Sequence, residues 1–273
     1  VVFIIAYYLG YRYPYGITSA LSFGFANPNF TGMWLLHLVC INTSFIFERI
    51  AQKKYYQTVG ILIVTVFNAF FIISTDNRSS IIGLLCLIIG IVLTAFSNKK
   101  VPKIPAAIVA GIPVVIAIIY LIFVNSGMIN IFNTFSGVGK ELTSRVGIWT
   151  EGINIIKTHP FFGEYYTVLY RLSFSQLHNM YIDLATSYGI PVAVLFFFFL
   201  KNILKKAQSN VQSKQQNIAY WGVFAILLTS SFEAALVSGS TGMYVMSCSL
   251  IILILQYPSD QSAGYRNTRT IHE

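Results

Sequence analysis

Seven long apolar runs leave this chain few folds to choose from. They cover residues 31–47, 56–75, 81–96, 104–124, 181–200, 218–237 and 242–256. A helix of about 20 apolar residues crosses the hydrocarbon core of a bilayer. In lipid only helices and closed barrels satisfy every backbone group, and these runs lack the alternation of barrel strands. Only 10% of the residues are charged, against about a quarter in a soluble domain. The expected fold is all-α: a polytopic helical membrane protein. Residues 1–9 read as the end of one more, partial span, and a start at Val1 inside an apolar run is expected of an N-terminally truncated chain. Pro105 and Pro113 predict a kink in the fourth run.

The charges orient the spans. With the loop at 48–54 placed inside, alternation puts twelve of the eighteen basic residues inside. Three of the nine acidic residues join them, so the whole net charge of +9 sits on the cytoplasmic face. Every short loop then obeys the positive-inside rule. The basic balance reflects topology, and no nucleic-acid partner is expected. The same reading divides the chain into membrane helices at 1–124, an extracytoplasmic catalytic loop at 125–178, membrane helices at 179–256 and a cytoplasmic tail at 257–273.

That topology leaves Arg12, Arg78, Lys140, Arg145, Lys157 and Arg171 outside, where the charge bias does not explain them. Arg78 sits at a span junction. It either snorkels to headgroups or grips an anion with its planar fork. Arg145 belongs to a segment in which Leu142, Val146, Trp149, Ile153 and Ile156 recur at helical spacing. An amphipathic interfacial helix is expected there, stopped by Thr158-His159-Pro160. On its shoulder, Arg145 could reach a diphosphate, a lipid headgroup or Glu141.

His178-Asn179 directly precedes the fifth span. The pair reads either as a helix cap or as a neutral imidazole able to take a proton from a hydroxyl. Glu233 falls inside the predicted sixth span. A carboxylate there is a functional candidate by default, as a partner of Arg78 or Arg145 or as a base. The three cysteines, Cys40, Cys86 and Cys248, lie in predicted spans without metal-ligand spacing. Asp76 has no second acidic residue beside it, and no phosphate-cradling glycine loop occurs. No metal or other cofactor is expected, so arginines would have to balance any bound phosphate.

Several short stretches occur together in one order: Asn27-Pro28-Asn29, then 74–80 with Arg78, then Ser144-Arg145 to Trp149. His159-Pro160-Phe161-Phe162-Gly163, His178-Asn179-Met180-Tyr181 and Gly189-Ile190 follow. This set, over roughly 23–200, resembles the O-antigen polymerase and ligase family, the Wzy type. The resemblance implies a metal-independent glycosyltransferase acting outside the plasma membrane on glycan carried by undecaprenyl diphosphate. Arg78 and Arg145 would hold the donor diphosphate, and His178 would orient or deprotonate the acceptor hydroxyl. Arg171, Asn179 and Glu233 would bind substrate. The bilayer is the solvent, and a chain-length regulator and a flippase of the same pathway are the implied partners. A composition rich in Ile, Asn, Lys, Phe and Tyr favours a capsule or exopolysaccharide polymerase. The alternatives are a ligase moving glycan to lipid or protein, a flippase for lipid-linked sugars, and a non-catalytic assembly subunit.

Overall fold

The computed structural model describes residues 28–96, 104–125, 139–164, 177–211, 213–233 and 241–255. The partial span at 1–9, loop segments 126–138 and 165–176, and the tail at 257–273 lie outside the described residues. Arg171 and the side chain of Arg145 do so too.

The described residues are helical and contain no strand. In chain order the helices are α1 Pro28–Ala51, α2 Tyr55–Ser74, α3 Arg78–Phe96, α4 Ala106–Asn125 and α5 Gly139–Thr158. Then come α6 Met180–Tyr188, α7 Ile190–Asn210, α8 Lys214–Thr229 and α9 Thr241–Leu255. The first three are each long and apolar enough to cross a membrane.

Helix α8 is the centre of the bundle and packs against α1, α3, α4 and α9. It is apolar on nearly every side, as a helix with neighbours all round should be. Close approach by α3 depends on small residues. A Cβ on Gly90 would run into the Trp221 ring, and one on Gly83 would come within 2.5 Å of Thr229 Oγ1. Helix α2 is inside-out by the standards of a water-soluble protein. It buries Thr58, Thr65 and Asn68 and exposes Val59, Leu62, Val66, Phe70 and Ile73. A continuous apolar face of that extent belongs against lipid.

The two ends of the bundle differ. At one end Gln215 Nε2 donates to Glu48 Oε2 (3.3 Å) and Lys214 Nζ to the Ala95 carbonyl (3.4 Å). These contacts gather the loops after α1 and before α8, with Arg49, Lys53 and Lys54 alongside. At the other end the start of α1, the α2–α3 turn, the start of α6 and the end of α8 meet.

Three sequence expectations need correction. The fifth span is not one helix: it breaks at Gly189, between α6 and α7. Gly189 has φ +92°, and its hydrogen sits against the Phe161 backbone, where no Cβ fits. The loop after α5 docks at this break, with Ile190 N–H donating to the Pro160 carbonyl (2.8 Å). The expected sixth span ends early, at Thr229, so Glu233 lies in the turn beyond the helix and not within it. The α5 helix is present and stops at Thr158, but its buried face is turned from the predicted stripe. Trp149 is buried as expected, yet Ile148 and Ile155 are buried beside it while Ile153 is only half-buried. The reason is Gly152, whose bare Cα lets Leu177 and Ile182 of the next segment pack closely. The helix therefore turns that side toward α6.

Candidate functional site

Turn chemistry begins the site. Asn77 precedes α3, and its Oδ1 accepts hydrogen bonds from Ser79 N–H (3.1 Å), Ser80 N–H (3.3 Å) and Ser79 Oγ (2.7 Å). This is an N-cap, satisfying donors that the first turn leaves open. Asp76, just before it, takes a left-handed φ of +56°. The result puts Arg78 at the first position of α3 with an exposed side chain. A helix start carries partial positive charge, so the arginine adds to a field that already favours an anion.

The segment before α6 is held from several sides. Trp149 Nε1 donates to the Leu177 carbonyl (2.8 Å), and Leu177 N–H donates to Asp183 Oδ1 (3.0 Å). Met180 N–H donates to the Ser230 carbonyl (3.0 Å). Between these anchors His178 has φ +55°, a conformation that needs support from its surroundings.

Asn179 supplies much of that support. Its Oδ1 accepts from Tyr181 N–H (3.1 Å) and Ile182 N–H (3.2 Å), capping α6. Its Nδ2 donates to the carbonyls of Pro113 (2.9 Å) and Ser231 (3.1 Å). The side chain is fully buried. The sequence reading placed Asn179 on the substrate. The geometry gives both of its polar atoms to the backbone, as a brace between α4, α6 and the turn after α8.

His178 itself meets Glu233. Nδ1 lies 2.8 Å from Oε2 of the carboxylate, whose side chain is 1% exposed against 17% for the imidazole. Glu233 Oε1 accepts from Asn29 Nδ2 at 3.2 Å. An ionised carboxylate only accepts hydrogen bonds, so Nδ1 carries the proton in the neutral ring. The lone pair is then on Nε2. A carboxylate–imidazole pair set this way can take a proton from a hydroxyl presented at Nε2.

The structure thus brings together His178, Asn179 and Glu233, and hydrogen bonds through Asn29 join them to the turn that holds Arg78. The sequence left Glu233 as a partner of Arg78 or Arg145 or as a base; in the structure its carboxylate meets His178 and Asn29. Arg145 lies on α5, the helix that anchors Leu177. Sequence reading passed over Asn29, Asn77, Trp149 and Asp183 as site residues. Asn29 and Asn77 stood inside the quoted motifs, but nothing local marks an asparagine as a partner for a carboxylate 204 positions away. Among the described residues no three His, Cys, Asp or Glu side chains gather as a metal site.

Residues 63–197 match a family model described as Wzy_C, O-antigen ligase. The match covers just under half of the chain and supports the O-antigen polymerase and ligase family. No solved structure matches it. The matched span holds Arg78, Arg145, Arg171 and His178, while Asn29 and Glu233 lie on either side of it. Together with the apolar helices, the match supports a membrane enzyme with an O-antigen-related role in glycan processing.

Proposed function

We propose that this protein polymerises oligosaccharide repeat units carried on undecaprenyl diphosphate, at the outer face of the plasma membrane. The product is a capsular, exopolysaccharide or O-antigen chain. The observation that carries this reading is the buried Glu233 carboxylate 2.8 Å from His178 Nδ1. A base of this kind suits activation of a sugar hydroxyl. His178 Nε2 takes the acceptor's proton as the oxygen attacks the anomeric carbon of the donor. The anomeric C–O bond to the diphosphate breaks, and its electron pair leaves with undecaprenyl diphosphate. Arg78, Arg145 and Arg171 balance the charge that develops there. In this reading arginines do without a metal what a divalent cation does elsewhere.

The charge asymmetry supports the orientation, with the basic loops inside. A chain-length regulator and a flippase of the same pathway are the natural partners. The description of the matched family favours a second reading, a ligase that transfers the glycan to a lipid or protein acceptor.

The test uses membranes containing the protein, a lipid-linked oligosaccharide donor and EDTA. A ladder of lengthening glycans, lost in Arg145→Ala and His178→Ala at equal protein levels, is the expected result. A single transfer that needs an added acceptor marks a ligase instead. Repeat units stranded on the cytoplasmic side in those variants would point to a flippase and sink the reading.

A further inference from the structure

Arg78 and His178 lie 100 positions apart in the sequence, yet one run of hydrogen bonds joins their surroundings. From His178 Nδ1 it passes to Glu233 Oε2 (2.8 Å), then from Glu233 Oε1 to Asn29 Nδ2 (3.2 Å). It continues from the Asn29 carbonyl to Asn77 Nδ2 (2.9 Å), and Asn77 Oδ1 caps the helix that starts at Arg78. The geometry points to Asn29 and Asn77 as positioning residues, which hold the base and the anion-binding arginine in fixed relation. This inference rests on the glycosyl-transfer reading above.

Each asparagine does a separate task. Glu233 is fully buried, and a buried carboxylate stays charged only when its oxygens are well supplied with donors. One oxygen takes the imidazole N–H, and the Asn29 amide supplies the other. The charged carboxylate in turn keeps the His178 proton on Nδ1. Asn77 acts in two directions: its amide holds the Asn29 backbone while its side-chain carbonyl caps α3. The contact is close: a Cβ on Gly32 would fall 2.9 Å from Asn77 Cβ and from Thr75 Oγ1. No larger residue at position 32 lets α1 meet this turn. A further carboxylate bears on the imidazole, that of Asp183 on α6.

The test compares the whole chain with Asn29→Asp and Asn77→Asp in lipid nanodiscs. Asn29→Asp keeps the shape and the backbone carbonyl but removes the donor to Glu233. Turnover is expected to fall by about tenfold or more with donor KM nearly unchanged. Asn77→Asp keeps the cap but loses the bond to Asn29, and is expected to lower turnover and raise donor KM together. A second readout needs no activity: labelling of His178 by diethyl pyrocarbonate, with exposed His159 as internal reference. Asn29→Asp is expected to slow His178 labelling about threefold or more, because an added negative charge holds a proton on the ring. If the aspartate variant does not elute as folded protein, Asn29→Ala, which removes the same donor without adding charge, serves for the turnover readout.

Unchanged turnover and unchanged His178 labelling in these variants would overturn the role of Asn29. An unchanged donor KM in Asn77→Asp would overturn that of Asn77. If His178→Ala keeps full transfer, the functional reading fails on its own. Labelling then still decides whether Asn29 governs the imidazole.

Discussion

The Trp149 indole donates its N–H to the Leu177 carbonyl at 2.8 Å, tying the middle of α5 to the residue before His178. Both residues are fully buried. Trp149→Phe keeps most of the packing and leaves that carbonyl without this donor. An unsatisfied buried acceptor costs about 1–3 kcal/mol. Thermal unfolding in detergent should shift several degrees lower. Turnover measured well below that midpoint should also drop, by about tenfold, because the His178 conformation leans on this anchor. A lowered midpoint with full turnover would show that α5 supports only the fold.

Glu233→Gln tests the carboxylate without changing its shape. The amide can still contact His178, but it no longer obliges Nδ1 to carry the proton. A ring with the proton on Nε2 cannot take another from the acceptor hydroxyl there. Transfer should fall by roughly 10²-fold, close to the loss in His178→Ala, and the double variant should lose little more. Additive losses in the double variant would mean that the two residues act separately.

Arg78 begins α3 with an exposed side chain, so its replacement should leave the fold intact. If it grips a diphosphate with two parallel N–H groups, a lysine cannot stand in for it. Arg78→Lys should raise donor KM or lower transfer by about tenfold, with yield and elution profile unchanged. Full activity in the lysine variant would reduce Arg78 to a headgroup contact.

The fold class was legible because membrane helices announce themselves by length and hydropathy: the described residues are helical, and three helices are long and apolar enough to cross a membrane. Two boundaries were not. Gly189 interrupts an apolar run without altering its hydropathy, and the break exists because a loop some 30 positions earlier in the chain docks there. Glu233 was visible as a charge in an apolar stretch, but its partner could not be read. His178 and Glu233 are 55 positions apart, and the hydrogen bonds from Asn179 and Met180 to the turn after α8 bring them together. Asn179 shows the opposite case. The sequence allowed it to cap a helix or to touch substrate; its Oδ1 makes the two cap hydrogen bonds of α6, and its Nδ2 braces the carbonyls of Pro113 and Ser231.

Gly189 makes the last prediction. Its φ of +92° is one that side-chain-bearing residues rarely adopt, and a methyl group would press on the Phe161 carbonyl. The loop there is otherwise well tied. Glu164 N–H donates to the Thr186 carbonyl (2.7 Å), and Gly163 also has a positive φ, +65°. Gly189→Ala should therefore release residues 159–164 from the α6–α7 break, with a strain of about 1–3 kcal/mol. Limited proteolysis should show new cutting near Phe161 and Phe162, both exposed aromatic residues in this loop. Transfer should fall as α6, and with it His178, loses a fixed neighbour. Replacing Tyr188, which is 54% exposed, by alanine is the control, since it leaves the turn's backbone as it is. Equal protease resistance in Gly189→Ala and the parent would mean that the break tolerates an ordinary residue and does not anchor the loop.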